Sequence, residues 1–553
     1  MNVIPSTWLQ GAREAPLAYA SVILAVAVLF FSLYKLTTRT DIPYIRNLPE
    51  IPGALPIVGH LLQLGDDHAS VCEKWWRQYG HSVFQIRLGN TRAVVVSSFD
   101  DCKKILLKNS QALIDRPTLY TFHGIISSTQ GFTIGSSPWD DSCRNKRKAA
   151  STTLSKSMMK NYSQMFDVES YCIIRDMFRD SKGGEIEVSM RPYIQRYALN
   201  TTLTLCYGIR MDEVYDTLLR EILHVGSAIS LLRSASENYQ DYIPILRYMP
   251  NNEKNARSKE LRDRRDAYLD LLLNKVREMI KKGTDKPCIS AAILKDEETR
   301  LTGVEVGSIC LSLVSGGFET IPGTLVSCIG SLSTPEGQIF QDRAYADIKR
   351  HYPNFQESWG KDFGEEKVPY LNAIVKEAGR YYTVSNMSLP RKTVSDVQWE
   401  GAVIPKGTMV LINAQAANHD VDHFGPDAGT YNPERWLNNP SSSPTEKEVP
   451  GISHHSFGAG SRSCPGSLIA TKLIYSALFR LLSLYKVVAS EEQPPNTDYV
   501  DYNAQKSALV AIPRDFRVRL VRRDEMELRD GGDDVVRSVL VEAEERTKGF
   551  YKE

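Results

Sequence analysis

Three short stretches of this chain carry residue types at spacings that could do chemistry. The most informative is Phe457-Gly458-Ala459-Gly460-Ser461-Arg462-Ser463-Cys464-Pro465-Gly466. Glycines ahead of the cysteine let the backbone turn tightly and approach a flat group closely. Arg462 offers a cation to a carboxylate on that group. The apolar run SLIATKLIYSALFRLLSLY follows and reads as a helix, so Cys464 stands at or just before a helix N-terminus. There the helix dipole and free N–H groups favour a thiolate. A buried structural cysteine is the plainer alternative, but it needs none of these neighbours. A zinc site using His454 and His455 fails on spacing and lacks further thiolates.

The second stretch is Gly316-Gly317-Phe318-Glu319-Thr320. Thr302 and Glu305 have capping-box spacing and Thr334 precedes Pro335, which predicts a helix between them. Gly316, Gly317, Pro322 and Gly323 sit in its middle and weaken it. Pro322 has no N–H, so the carbonyl of Phe318 loses its usual partner. The expected result is a local groove holding an acid and a hydroxyl, Glu319 and Thr320, suited to passing protons. A kinked structural helix with Thr320 capping a freed carbonyl is the plainer alternative. The third stretch pairs Glu377 with Arg380, neighbours on one helix face, and Pro433-Glu434-Arg435-Trp436 follows.

Together these motifs, in this order, resemble the cytochromes P450. The resemblance covers roughly residues 45 to 523, and the Cys464 stretch resembles that family's haem-binding loop. It implies haem b held through the Cys464 thiolate, whose electron donation favours O–O cleavage. It further implies that Phe457 packs near the sulfur and that Arg462 pairs with a haem propionate. Arg391 matches a position where relatives supply another propionate-binding arginine. Trp139 is followed four residues later by Cys143, which breaks the family's Trp-x-x-x-Arg spacing, so Arg147 is taken as the second propionate contact. Glu377, Arg380 and Arg435 are implied to form a buried structural network that locks the cysteine loop. Glu319 and Thr320 are implied to deliver protons to O2. Ile321 stands where many members have Thr or Ser. Phe318, Gly316, Val384 and Met387 are expected to line the substrate pocket.

The elements that must position these residues follow from pattern. Helical periodicity dominates, as in DRRDAYLDLLLNKVREMIKK (263–282). Strand-like pieces are short: 82–88, 92–98, 408–414 and 517–523. The expected fold is therefore mainly α with a small β region, the P450 fold that the resemblance implies. Residues 15–34 are uncharged and long enough to span a bilayer core. Lys35, Arg39 and Arg46 follow, so a lumenal stub (1–14), a transmembrane anchor (15–34) and a cytosolic body are expected. A proline-rich linker (35–60), the haem domain (61–523) and a charged C-terminal tail (524–553), read as a solvated helix or frayed tail appended to the core, complete the layout.

The 67 basic and 66 acidic residues exclude a globally basic nucleic-acid binder. Nine scattered cysteines exclude a disulfide scaffold. The resemblance implies a haem-thiolate monooxygenase of the endoplasmic reticulum membrane. Electrons are expected from NADPH through a separate P450 reductase, with cytochrome b5 as a further partner and membrane lipid as the support. One atom of O2 would enter a small lipophilic, aromatic or alkaloid-like substrate. The pieces GFTIGSSPWDDSCRNKRKAA and SGGFETIPGTL resemble fungal P450s of the phenylacetate-hydroxylase-like group. Within it, a tailoring step of fungal secondary metabolism is the first choice, and hydroxylation of simple aromatic acids the alternative. An isomerase or dehydratase needing no external electrons is a third reading, against which Glu319 and Thr320 argue.

Overall fold

In the computed structural model the described residues are 16–250, 252–295, 301–353, 366–437, 452–523 and 532–551. Helices dominate them. The strands expected from pattern form at Val83–Leu88 (β1), Thr91–Val96 (β2), Met409–Ile412 (β6) and Val518–Arg522 (β8). With Arg391–Lys392 (β3) the first three of these build a four-stranded sheet in the order β1-β2-β6-β3, in which β2 and β6 run parallel and the other pairs antiparallel. Two hairpin-like sheets remain: Val397–Trp399 (β4) with Ala402–Ile404 (β5), and Tyr485–Ala489 (β7) with β8. The β3 register sets Arg391 opposite Val410, which holds its side chain at the inner end of the sheet.

The main core gathers the helices Ser163–Asp180, Arg191–Tyr207, Thr320–Ser333, Pro369–Tyr381 and Ser467–Leu484. The run after Cys464 is the last of these. From Leu473 to Leu484 every residue of it is buried, so the cysteine loop is attached directly to the best-packed part of the protein. Two apolar helical stretches, Gly303–Ser333 and Ser467–Leu484, are long enough to cross a membrane but lie 67% and 72% buried in the core.

A separate helix spans Pro16–Thr38 and leaves Leu17, Ile23, Leu24, Phe30 and Phe31 exposed. The proline-rich segment after it docks on the sheet: the backbone N–H of Ile51 bonds to Gln85, and the buried Gln85 side chain bonds to Ile45 and Leu48.

The C-terminal segment departs from the expected solvated tail. Gly532–Tyr551 is a helix packed on Ser163–Asp180. Val536, Val539, Leu540 and Ala543 recur at helical spacing and are all buried, a single narrow stripe in an otherwise charged sequence. Arg546 adds two bonds to the Asp167 carboxylate, at 2.8 and 2.9 Å, and the buried Arg480 pairs with the same group.

Candidate active site

The cysteine loop is shaped by two left-handed glycines, Gly458 (φ 63°) and Gly460 (φ 67°). A Cβ on Gly460 would lie 2.4 Å from the Leu106 carbonyl, so only glycine lets the loop rest on the Phe99–Lys108 helix. The Cys464 N–H closes the loop by donating to the Phe457 carbonyl at 2.9 Å. Of the nine cysteines seven are buried, Cys288 is half-buried, and Cys464 is exposed. Protein nevertheless surrounds Cys464: desolvation raises its pKa, partly offset by the Gly466 N–H and Arg147. Its sulfur therefore faces an internal cleft.

The loop is held by a buried network. Glu377 and Arg380 are both inaccessible and form a two-pronged pair, at 2.7 and 2.9 Å. Arg435 reaches Glu377 at 3.2 Å, Trp436 donates its ring N–H at 2.9 Å, and the Asn432 N–H adds a bond at 2.8 Å. Arg380 also donates to the carbonyls of Asn418, Ala428 and Thr430. Asn418 carries the connection onward, accepting from the His455 N–H at 2.7 Å and donating to Ser456 at 3.0 Å. The three charged residues thus meet as expected. Asn418, which couples them to the loop, has no motif that marks it in the sequence.

The distal helix breaks where the glycines and proline suggest. One helix covers Gly303–Gly317 and the next Thr320–Ser333, with Phe318 and Glu319 between them. The capping box at Thr302 and Glu305 forms. Thr320 donates its hydroxyl to the Gly316 carbonyl at 2.6 Å. No atom lies within 4 Å of the position a Gly316 Cβ would take, so this turn faces open space. Burial raises the pKa of Glu319; Ser227, Ser230 and Arg233 oppose this without cancelling it. The two serines approach the carboxyl, yet Oε1 has no partner in hydrogen-bond geometry.

Arginines gather between the loop and the break. Arg462 donates to the carbonyls of Ile114, Ile134, Gly135 and Ser137, leaving its buried Nε unpartnered. Arg391 donates to Leu113 and Ala459, and Arg147 to the Ser463 carbonyl at 3.1 Å. Arg116, which carries no sequence signal, joins them and donates to Gly135 and Pro390. Burial and mutual repulsion push Arg391 down to about 9 and Arg116 well below its ordinary value. Among the described residues no carboxylate pairs with any of the four. Such a concentration of buried positive charge fits a ligand bearing carboxylates, as the two propionates of haem do. Together with an accessible thiol in a glycine-shaped loop, the residues present fit haem. Hydrogen bonds join the loop to the distal helix: Arg462 donates to the Ile134 carbonyl, and the Ile134 N–H donates to the hydroxyl of Ser312 in Gly303–Gly317 at 2.8 Å.

The four expected pocket residues separate. Gly316 faces open space and Met387 lines a cavity with Leu64, Leu411 and Leu509. Phe318 is 3% exposed, and a Cβ on Gly226 would lie 2.3 Å from its ring, so it packs against the Thr217–Leu231 helix. Val384 joins a cluster with Tyr382 and Tyr502 and covers Gly323. Phe318 and Val384 are not among the residues lining that cavity. Phe457 packs against His454, with ring centres 5.7 Å apart.

The sequence matches the cytochrome P450 family over residues 49–513. The chain belongs to the cytochrome P450 family. It is 45% identical to phenylacetate 2-hydroxylase of Emericella nidulans over 95% of this chain and 98% of that protein. It is 36% identical to 3-hydroxyphenylacetate 6-hydroxylase of the same organism, over 94% and 96% respectively. A cytochrome P450 monooxygenase of Mycosarcoma maydis is 35% identical over 92% of this chain and 93% of that protein. The chain is thus a P450 monooxygenase, a family that uses haem and a redox partner.

Proposed function

We propose that this P450 hydroxylates the aromatic ring of a small arylacetate-type acid. The observation that carries this reading is the 45% identity, over nearly the whole of both chains, to an enzyme named for phenylacetate. A second relative, named for 3-hydroxyphenylacetate, points to the same substrate class. This reverses the order of the two substrate readings drawn from sequence, in which tailoring of larger metabolites came first.

Haem, when bound, supplies O2 reduction with transfer of one oxygen atom to the substrate, the other leaving as water. The protein's own residues supply the rest. Cys464 would hold the haem iron through its sulfur. Arg116, Arg147, Arg391 and Arg462 would offer positive charge to the propionates. Glu319, kept toward its neutral form by burial, holds a proton at its carboxyl group. Thr320 Oγ, one turn from the open face at Gly316, is placed to hand that proton on. The Pro16–Thr38 helix is the membrane anchor, with its exposed apolar side chains in lipid of the endoplasmic reticulum and the body in the cytosol. NADPH–P450 reductase, with cytochrome b5 assisting, is the electron donor.

The test is reconstitution with reductase and NADPH in microsomes, with phenylacetate as substrate and product followed by mass spectrometry. An NADPH-dependent gain of one oxygen on the ring is expected. Turnover without NADPH would instead support an isomerase or dehydratase. Consumption of larger aromatic metabolites, with arylacetates untouched, would restore the tailoring reading.

A further inference from the structure

We propose that Arg233 is the anchor for the substrate's carboxylate, a role that rests on the arylacetate reading above and makes it specific. Arg233 lies just beyond the C-terminus of the Thr217–Leu231 helix and lines the cavity that also contains Met387, Leu411 and Leu509. That cavity is walled mainly by apolar side chains, so a charge in it has few neighbours to satisfy it.

Three basic residues line this cavity, and two are already accounted for. Lys506 is paired with Asp67 at 3.2 Å and Asp501 at 3.0 Å. His68 is bonded to the Gly65 carbonyl, and burial lowers its pKa, which keeps it neutral. The Arg233 guanidinium has no hydrogen bond and no ion pair to any described residue. Its guanidinium carbon lies over the Phe122 ring, 4.0 Å from the ring centre. A contact of that kind uses no N–H donor in a hydrogen bond. The N–H groups lie in the guanidinium plane and stay free, in the fork that a carboxylate accepts through both oxygens.

The surrounding charges favour this assignment over two others. Burial lowers the Arg233 pKa to about 10, so the group remains a cation at neutral pH. Glu319 is the acid that acts on it, but no ion pair or hydrogen bond joins the two among the described residues. Arg391, Arg462 and Arg147 each act on Arg116 more strongly than Arg233 does, and Arg233 has no resolved effect on those three. Arg233 lines the cavity that Arg116, Arg147, Arg391 and Arg462 do not, although its charge is felt at Arg116. A small aryl acid pinned there by its carboxylate would present its ring within the site; an uncharged analogue would lack the tether.

The experiment uses full-length holoenzyme in microsomes and measures substrate-induced spectral binding for matched pairs: phenylacetate against methyl phenylacetate, and decanoate against methyl decanoate. The wild-type protein is expected to prefer the acid of the pair it accepts. Arg233→Gln should weaken acid binding about ten- to hundred-fold, the range for a lost charged hydrogen bond, and leave ester binding within about two-fold. Arg233→Lys should retain part of the acid preference. Because each variant is judged by its own acid-to-ester ratio, a partly unfolded fraction cancels. An equal loss for acid and ester would overturn the proposal, as would loss of haem, which would make Arg233 a propionate ligand. An intact acid preference with raised peroxide release would overturn it in favour of a role toward Glu319. Absence of any acid preference in the wild type would also overturn it. Should phenylacetate bind and turn over while Arg233→Gln keeps the preference, only the anchor fails. Should only decanoate show an Arg233-dependent preference, the arylacetate reading fails and the anchor stands.

Discussion

Replacing Glu377 by Gln tests how the cysteine loop is held. Glu377 is fully buried and accepts from Arg380 twice, from Arg435, from Trp436 and from the Asn432 backbone. The substitution keeps the shape but leaves the inaccessible Arg380 cation without its anion. Breaking one partner of a buried pair costs about 3–5 kcal/mol. For a body of this size, unfolding entropy scales to about 1 kcal/mol per degree, so the thermal midpoint should fall by about 3–5 °C. The effect should also be directional. Arg380 holds the Asn418 carbonyl, and Asn418 holds His455 and Ser456 ahead of the cysteine. Warming should therefore release haem, and erode the red-shifted ferrous–CO band, before the far-ultraviolet helical signal is lost. Glu434→Gln provides the comparison: that carboxylate pairs with the exposed Arg343, where solvent screens the charge, and accepts from the Tyr370 hydroxyl, which a glutamine oxygen can also do. Equal, small shifts in both variants, or haem release that coincides with global unfolding, would refute the argument that Glu377 locks the loop.

Cys464→Ala should abolish the red-shifted ferrous–CO absorption, because it removes the thiolate ligand; an unchanged spectrum rules that ligand out. Thr320→Ala should raise peroxide release relative to product in NADPH-driven turnover, and unchanged coupling would speak against the relay. The Glu319 carboxyl has a raised pKa, so its neutral form persists above the ordinary carboxylate range and is lost as pH rises through the folded value. Coupling should fall over that interval, and Glu319→Gln should flatten the profile measured by product per NADPH. Ending the chain at Arg523 should lower the thermal midpoint by exposing the surface that Val536, Val539, Leu540 and Ala543 cover. At Asp167 burial raises the pKa, but the bonds and charges of Arg546 and Arg480 outweigh it and hold the group below its ordinary value. That contribution is present above the ordinary pKa and is lost as pH falls through the lowered one. The stability gap between wild type and truncation should therefore narrow at acid pH, down to the part contributed by the apolar surface.

Legibility in the sequence followed how local each feature is. The cysteine loop, the capping box at Thr302, the break around Phe318 and the Glu377–Arg380 pair are each written within a few neighbouring residues. Glycine, proline and charge spacing act there at short range. The short strands were legible for the same reason, since runs such as RAVVVSS admit little else. The packing of one face of the C-terminal helix was not legible, because four buried residues in a charged segment look sparse until a partner surface is known.

A cysteine in a glycine-shaped loop, a mainly helical body and an acid beside a hydroxyl at a helix break were determined by the order of residues along the chain, because each depends on adjacent backbone. Only tertiary structure decided that Arg116 joins Arg147, Arg391 and Arg462, that Asn418 ties the ion network to the loop, and that Phe318 packs on the Thr217–Leu231 helix and Val384 on Gly323. It alone left Arg233 facing a cavity with its in-plane donors free. These outcomes depend on which side chains meet across hundreds of residues, and on which buried charges find a counter-charge there; no local pattern encodes either.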